Sequence, residues 1–172
     1  MEPRVLVTAA SRHQATHEIA EAIGAGLCER GIDAQVRRIA ELTALDGYDA
    51  VVLGSAVYMG RWLAEARRFA QIHASTLSSL PVWLFSSGPV GPSSHPIPAG
   101  EAADVPVLVR LTRARGHRTF AGRLDMKHLH FAERAVARTI HAPDGDSRDW
   151  EEIDRFAGDI AAALHGAFVG AA

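Results

Sequence analysis

The sequence predicts an α/β domain in which helices cover both faces of a parallel β-sheet. Three short apolar runs, 5–7, 50–53 and 82–85, do not alternate with polar residues, which is typical of strands buried on both sides. Stretches with the helical period separate these runs, and alternating strands and helices favour parallel pairing through right-handed crossovers. We expect residues 1–172 to form a single domain, because this length suits one core.

The remaining elements follow from local patterns. A first helix is predicted from Thr16 to Arg30, where the apolar residues share one face. Residues 32–37 alternate strictly between apolar and polar, as expected of an edge strand with one face in water. A second helix is predicted from Arg61 to about Leu77, and a weaker fifth strand at 119–122. The clearest helical period runs from Trp150 to Leu164.

Composition excludes several classes of protein. The net charge is −2, from 18 basic and 20 acidic side chains, whereas a protein that binds nucleic acid by bulk electrostatics carries a basic excess. A single cysteine, Cys28, excludes an internal disulfide framework and a cysteine-based zinc cluster. The short apolar stretch near the N-terminus has the length of neither a signal peptide nor a spanning helix. We therefore expect a cytoplasmic protein with no integral membrane segment, no nucleic-acid partner and no metal site.

The sequence lacks the common phosphate and nucleophile motifs of α/β proteins. It contains no Gly-x-Gly-x-x-Gly, no Gly-x-x-x-x-Gly-Lys-Ser/Thr and no Gly-x-Ser-x-Gly. A dinucleotide-binding Rossmann site, a P-loop NTPase and a serine hydrolase are therefore not expected.

Ligands of an open parallel sheet bind beyond the carboxyl ends of its strands. Three segments follow the buried runs, at 8–16, 54–62 and 86–92. The first is rich in hydroxyl groups and opens a helix, where free N–H groups favour an anion. The second offers the ring of Tyr58, and the third is a small-residue turn whose backbone can approach a planar ligand.

These segments resemble the three FMN-contacting loops of the flavodoxin family, above all the bacterial variety that includes the menaquinone-dependent protoporphyrinogen dehydrogenase. Residues 11–16, Ser-Arg-His-Gln-Ala-Thr, are similar to its Ser-x-x-Gly-x-Thr phosphate loop. Residues 54–60 and 85–89 resemble its second and third loops, and the resemblance continues through 120–124 and 144–150. It implies a flavodoxin-like three-layer sandwich, with a five-stranded parallel sheet in the order 2-1-3-4-5.

The resemblance also implies non-covalent binding of FMN. Ser11 and Thr16 would hold the phosphate, Tyr58 would cover one face of the isoalloxazine, and residues 86–89 would approach the ring edge with backbone. The flavin would supply the redox chemistry, so no catalytic side chain is expected. The cofactor-binding residues implied are Ser11, Arg12, His13, Gln14, Ala15, Thr16, Ser55, Ala56, Val57, Tyr58, Met59, Gly60, Ser86, Ser87, Gly88 and Pro89.

Several alternatives stay open at this point. Gln14 stands where the family pattern has glycine, which motivates a second hypothesis: a binding or regulatory module that has lost FMN. Residues 11–16 also suit an ordinary helix cap, and Tyr58 and Trp62 also suit packing roles. A flavoprotein would be a quinone-linked dehydrogenase, an electron carrier or a reductase. Its partner would be a redox protein or a quinone. Peripheral contact with a membrane stays open, and so does the choice between a monomer and a homodimer.

Overall fold

A computed structural model describes residues 3–88, 101–124, 127, 135 and 145–169. Within them, five strands lie parallel in one sheet: β1 (Arg4–Ala10), β2 (Asp33–Val36), β3 (Ala50–Tyr58), β5 (Val82–Gly88) and β6 (Gly116–Ala121). A two-residue strand, β4 (Arg61–Trp62), pairs antiparallel with β3. The parallel strands follow the spatial order β2-β1-β3-β5-β6, which confirms the predicted order.

Helices cover both faces of this sheet. On one face lie α1 (Ala15–Glu29) and α5 (Trp150–Val169), which pack against each other. On the other lie α2 (Ala64–Ile72), α3 (Ala74–Ser79) and α4 (Val105–Thr112). Successive side chains of a strand point to opposite faces. Strand β1 therefore contributes Val5 and Val7 to the hydrophobic core under α1 and α5, and Leu6 to the core under α2, α3 and α4. The predicted three-layer sandwich is confirmed.

The second predicted helix, from Arg61 to Leu77, is wrong at its start. Met59 and Gly60 have φ of 52° and 72°, so they form a two-residue turn that folds Arg61 and Trp62 back onto β3. The helix begins only at Ala64 and is interrupted at His73, between α2 and α3.

Other boundaries also differ from expectation. The strands continue into segments that were predicted as loops: β3 runs through Tyr58, because its last residues pair with β4, and β5 runs through Gly88, which pairs with Ala121 of β6. Helix α4 was not predicted, and it begins with proline in its first turn. A separate ribbon joins β7 (Arg123–Leu124) to β8 (Gly145–Asp146). Among the helices described, none is long and apolar enough to cross a membrane.

Candidate functional site

The three segments singled out in the sequence meet at one edge of the sheet. Strands β1, β3 and β5 are neighbours. Ala10, the last residue of β1, is in register with Ser55 of β3, and Ser55 is in register with Ser86 of β5. Because the strands are parallel, the residues that follow them emerge at the same edge. The structure therefore brings the first and second segments together with the last residues of β5, whereas Pro89 lies outside the described residues.

The loop after β1 enters α1 in an unusual conformation. Gln14 precedes the helix with φ 65° and ψ −21°, the left-handed region, and the helix start has no side-chain cap. Left-handed backbone costs a non-glycine residue of order 1 kcal/mol, so this is a glycine conformation held by glutamine. The ordinary helix-cap interpretation does not account for this loop, since no hydroxyl of residues 11–16 caps the helix.

Exposure divides this loop into two parts. Arg12, His13 and Gln14 are exposed, Ser11 is half-buried, and Thr16 is only 2% exposed. The Ala15 N–H donates to the His13 carbonyl at 2.8 Å, and the first helical bond runs from Glu18 N–H to the Gln14 carbonyl at 2.9 Å. The N–H groups of the first turn lie at the positive end of the helix dipole, where an anion binds favourably.

Tyr58 ends β3 beside this loop. Its ring is half-buried, and the Arg12 guanidinium carbon lies 4.5 Å from the ring centroid, a cation–π contact that joins the first loop to the second. Met59, at the tip of the turn, is 70% exposed, and Ala56 and Val57 are half-buried. The β3–β4 turn therefore places an aromatic ring and a thioether at the rim of the site.

The serine hydroxyls of the second and third segments face the interior. Ser55 Oγ donates to the Ala56 carbonyl at 2.8 Å and accepts from Leu63 N–H at 2.9 Å. Ser86 Oγ accepts from Trp62 Nε1 at 2.7 Å. These hydrogen bonds connect β3 to the start of α2 and β5 to β4. Ser87 is buried as well. Ser55 and Ser86 are both fully buried, and each lies between two paired strands, so they support the site from within the sheet.

A chain of polar contacts runs from Trp62 through Ser86 and His117 to Glu101. Besides the bond from Trp62, Ser86 Oγ lies 2.8 Å from His117 Nε2, and His117 Nδ1 lies 3.3 Å from a Glu101 carboxylate oxygen. An indole nitrogen only donates, so with neutral His117 the Ser86 hydroxyl donates to Nε2 and Nδ1–H donates to Glu101. Burial lowers the pKa of His117, and the nearby Glu101 opposes that effect.

We expect His117 to make the protein less stable in mild acid. Its pKa is lower in the folded protein than in the unfolded chain, so the unfolded chain binds the proton more readily as the pH falls below the ordinary value of 6.5. The free energy of unfolding should therefore decrease as the pH falls from about 7 to about 5. Urea titrations at fixed pH should give a shallower decrease for His117→Gln and an unchanged one for exposed His165→Gln. Equal slopes in all three proteins would contradict this prediction.

Asp104 holds the β3–β4 turn from the start of α4. Its carboxylate accepts from Arg61 Nη2 at 2.7 Å and from the Trp62 N–H at 3.0 Å, and it lies 3.9 Å from Arg67 Nε. The hydrogen bond from Arg61 is the main reason that its pKa lies below the ordinary value. Nothing in the sequence pattern marks Asp104 as a support of the site, because its partners are about 40 residues away in the chain.

Comparison with known proteins agrees with this geometry. A family model described as "Flavodoxin domain" matches residues 6–151. Protoporphyrinogen IX dehydrogenase [quinone] of Escherichia coli (strain K12) is 26% identical over 171 residues, covering 92% of this chain and 94% of that protein. A flavodoxin from the domain Archaea superposes with a TM-score of 0.63 at 20% identity, covering 94% of this chain and 99% of the other. A WrbA-like flavodoxin from Agrobacterium tumefaciens gives 0.60 at 16% identity, covering 96% and 99%. The chain therefore belongs to the flavodoxin domain family.

Proposed function

We propose that this protein binds FMN non-covalently at the loops after β1, β3 and β5 and acts as an oxidoreductase or electron-transfer protein. The observation that carries the proposal is the start of α1: Gln14 takes the left-handed conformation that glycine takes in such loops, and no side chain caps the helix. The positive end of the helix is thereby left to an anion. Membership of the flavodoxin domain family supports FMN as the ligand that brings the anion.

The residues around the helix start fit a phosphate group. Ser11 and Thr16 flank the loop, the exposed side chain of Arg12 adds positive charge on its solvent side, and His13 is exposed beside it. Gln14 is exposed as well, and its side chain makes no capping hydrogen bond to the helix. In this proposal the phosphate accepts hydrogen bonds from the two hydroxyls and from backbone N–H groups of 12–16 other than that of Ala15, which donates to the His13 carbonyl.

The neighbouring residues fit a planar ring system. Tyr58 would stack on one face, and Ala56, Val57, Met59 and Gly60 would surround the ring from the turn. Ser87 and Gly88 would approach the ring edge with backbone, and the fully buried Ser55 and Ser86 would support them from within the sheet. Bound FMN supplies the transfer of electrons or hydride. The protein binds and orients it, and the backbone N–H groups and dipoles at the strand ends adjust its electrostatic surroundings.

A quinone as electron acceptor is the finer part of this proposal. It is supported by the 26% identity to protoporphyrinogen IX dehydrogenase [quinone], which extends over most of both chains. We propose a single-domain, cytoplasmic protein that meets a quinone or a redox partner at the exposed rim around Met59. Assays with NAD(P)H, quinones and porphyrinogens distinguish a reductase, an electron carrier and a dehydrogenase.

The first experiment is a titration of the purified protein with FMN, FAD and riboflavin, followed by visible absorbance and flavin fluorescence. We expect binding that is tightest for FMN, because only FMN presents a terminal phosphate to the start of α1. Riboflavin should bind more weakly by at least about tenfold, the effect of losing one or two charge-assisted hydrogen bonds. Absence of binding to all three flavins would refute the proposed function.

A flavin-free module is the second candidate, and two observations favour it. Arg12 already lies over the Tyr58 ring, and Gln14 is strained. The Gln14→Gly variant separates the candidates. In a working flavoprotein it should leave FMN affinity within about threefold, because the backbone is already in the glycine conformation, and raise stability by up to about 1 kcal/mol. Gain of FMN binding by the variant alone would favour a module that has lost its cofactor.

A further inference from the structure

Four charged side chains meet beside the first turn of α1. Arg148 Nη1 donates to Glu18 Oε2 at 2.6 Å, and Arg148 Nη2 donates to Asp146 Oδ2 at 2.6 Å. Arg123 Nη2 lies 3.4 Å from the other Glu18 oxygen. The cluster thus joins α1 to the β7–β8 ribbon and to the segment that leads into α5, across about 130 residues of chain.

Arg148 is the fixed member of this cluster. Its side chain is only 3% exposed, and its guanidinium lies 4.5 Å from the centroid of the Trp150 ring. Further bonds run from Nε to Asp146 at 2.8 Å and from Nη1 to the Ala15 carbonyl at 3.3 Å. The hydrogen bonds from Arg148 lower the pKa of Asp146 to about 2. A buried guanidinium bound to two carboxylates, a carbonyl and a ring has little freedom to move.

Glu18 occupies a position that conflicts with an anion site. It lies in the first turn of α1, one turn from Gln14, where the proposed function places the phosphate. A carboxylate favours a helix start on its own, but it repels a phosphate dianion that binds there. Arg148 and Arg123 both contact this carboxylate, so its charge is compensated.

We propose that Arg148 is a positioning residue that neutralises Glu18 beside the phosphate loop and thereby gives the site its preference for FMN over riboflavin. The inference rests on the proposed function, since it assigns the phosphate to the start of α1. Arg148 does not touch the ligand; it holds the first turn of α1 through the Ala15 carbonyl and cancels the charge of Glu18. Its effect should therefore appear with a charged ligand and vanish with a neutral one.

The test compares FMN with riboflavin in the full-length protein. We expect Arg148→Met to weaken FMN binding about tenfold, because an uncompensated carboxylate then lies near the phosphate, and to change riboflavin binding less than twofold. The ratio of the two dissociation constants is the readout, since a merely structural loss would weaken both ligands alike. Adding Glu18→Gln to Arg148→Met should restore most of that ratio.

Arg30→Met is the matched control. Arg30 also makes a two-pronged bond to an aspartate, Asp154, at 2.9 and 2.8 Å, and also donates to a carbonyl of α1, that of Gly26 at 2.8 Å. It lies at the opposite end of α1, so its loss should leave the FMN-to-riboflavin ratio unchanged. If Arg148→Met does not fold, Glu18→Gln alone serves. It should raise FMN selectivity about threefold, because Arg148 and Arg123 then lose the carboxylate that balances their positive charge near the phosphate.

The outcomes separate this inference from the function on which it rests. A wild-type protein that binds no flavin overturns the proposed function and the inference together. A wild-type protein that prefers FMN, with the same ratio in Arg148→Met or in Glu18→Gln, overturns the inference alone. An equal loss of selectivity in Arg30→Met overturns it as well, because the effect would then be general to α1.

Discussion

Replacing Gly54 by alanine is expected to destabilise the protein by about 3 kcal/mol, the upper range for overpacking a well-filled core. Gly54 lies inside β3, beside Ala9 of β1 and Phe85 of β5. A Cβ added there would overlap the ring of Phe85, which is fully buried. That ring cannot move aside easily, because it packs in turn on Phe120 at a centroid distance of 6.0 Å. Urea unfolding of the variant measures the loss.

Two variants sharpen this experiment. Gly166→Ala makes the same chemical change in α5, where nothing lies within 4 Å of the added carbon, and should stabilise by about 0.5–1 kcal/mol. The double variant Gly54→Ala/Phe85→Leu removes the ring that the new methyl group meets. Its loss of unfolding free energy should be smaller than the sum of the losses in the two single variants. Additive single effects would show that the collision with Phe85 is not the cause.

Replacing Asp104 by alanine is expected to cost about 3 kcal/mol, because it removes the acceptor of a buried backbone N–H and the partner of two arginines. Trp62 N–H would lose its bond, and Arg67 Nε, which is buried without a hydrogen bond, would also lose the nearby carboxylate. Arg61 is partly exposed and can turn to water, which keeps the cost at the lower end for a broken ion pair. Thermal and urea unfolding measure the change.

The exposed pair Arg4–Asp33 supplies the control for Asp104. Its nitrogen and oxygen are 3.0 Å apart, and both side chains are about half exposed, so Asp33→Ala should lower the free energy of unfolding much less than Asp104→Ala does. We also expect Asp104→Ala to weaken FMN binding, since the turn that carries Tyr58 and Met59 loses its support. Unchanged stability and affinity in Asp104→Ala would show that backbone pairing of β3 with β4 suffices.

The sheet was predictable from the sequence because buried strands and helical faces leave different periods. The run 50–53 marked the core of β3, and the alternation at 32–37 marked β2 as an edge. The end of β3 was not predictable in this way. Beyond residue 53 the strand continues through Gly-Ser-Ala, small residues that are typical of a loop, and Met59-Gly60 is not one of the dipeptides that usually form a two-residue turn.

The candidate site was predictable as three segments but not as a set of contacts. The segments follow strands whose order the sequence supports, so their meeting at one edge follows from topology. The orientation of Ser55 and Ser86 depends on how far each strand continues. The supports contributed by Asp104, His117 and Arg148 depend on pairs formed between distant parts of the chain. The hydrophobic periodicity within a segment gives no information about such a pair.

The contact between Arg12 and Tyr58 makes ligand entry a competition rather than a simple addition. The Arg12 guanidinium lies over the Tyr58 ring and takes the place of a planar ligand there. A guest that takes the same face must displace it, and an exposed cation–π contact is worth about 0.5–1 kcal/mol. The displaced arginine can then turn toward a negative charge on the incoming molecule. A ligand with both a planar ring and an anionic group regains the free energy of the lost contact through its interaction with Arg12, whereas a planar neutral ligand does not.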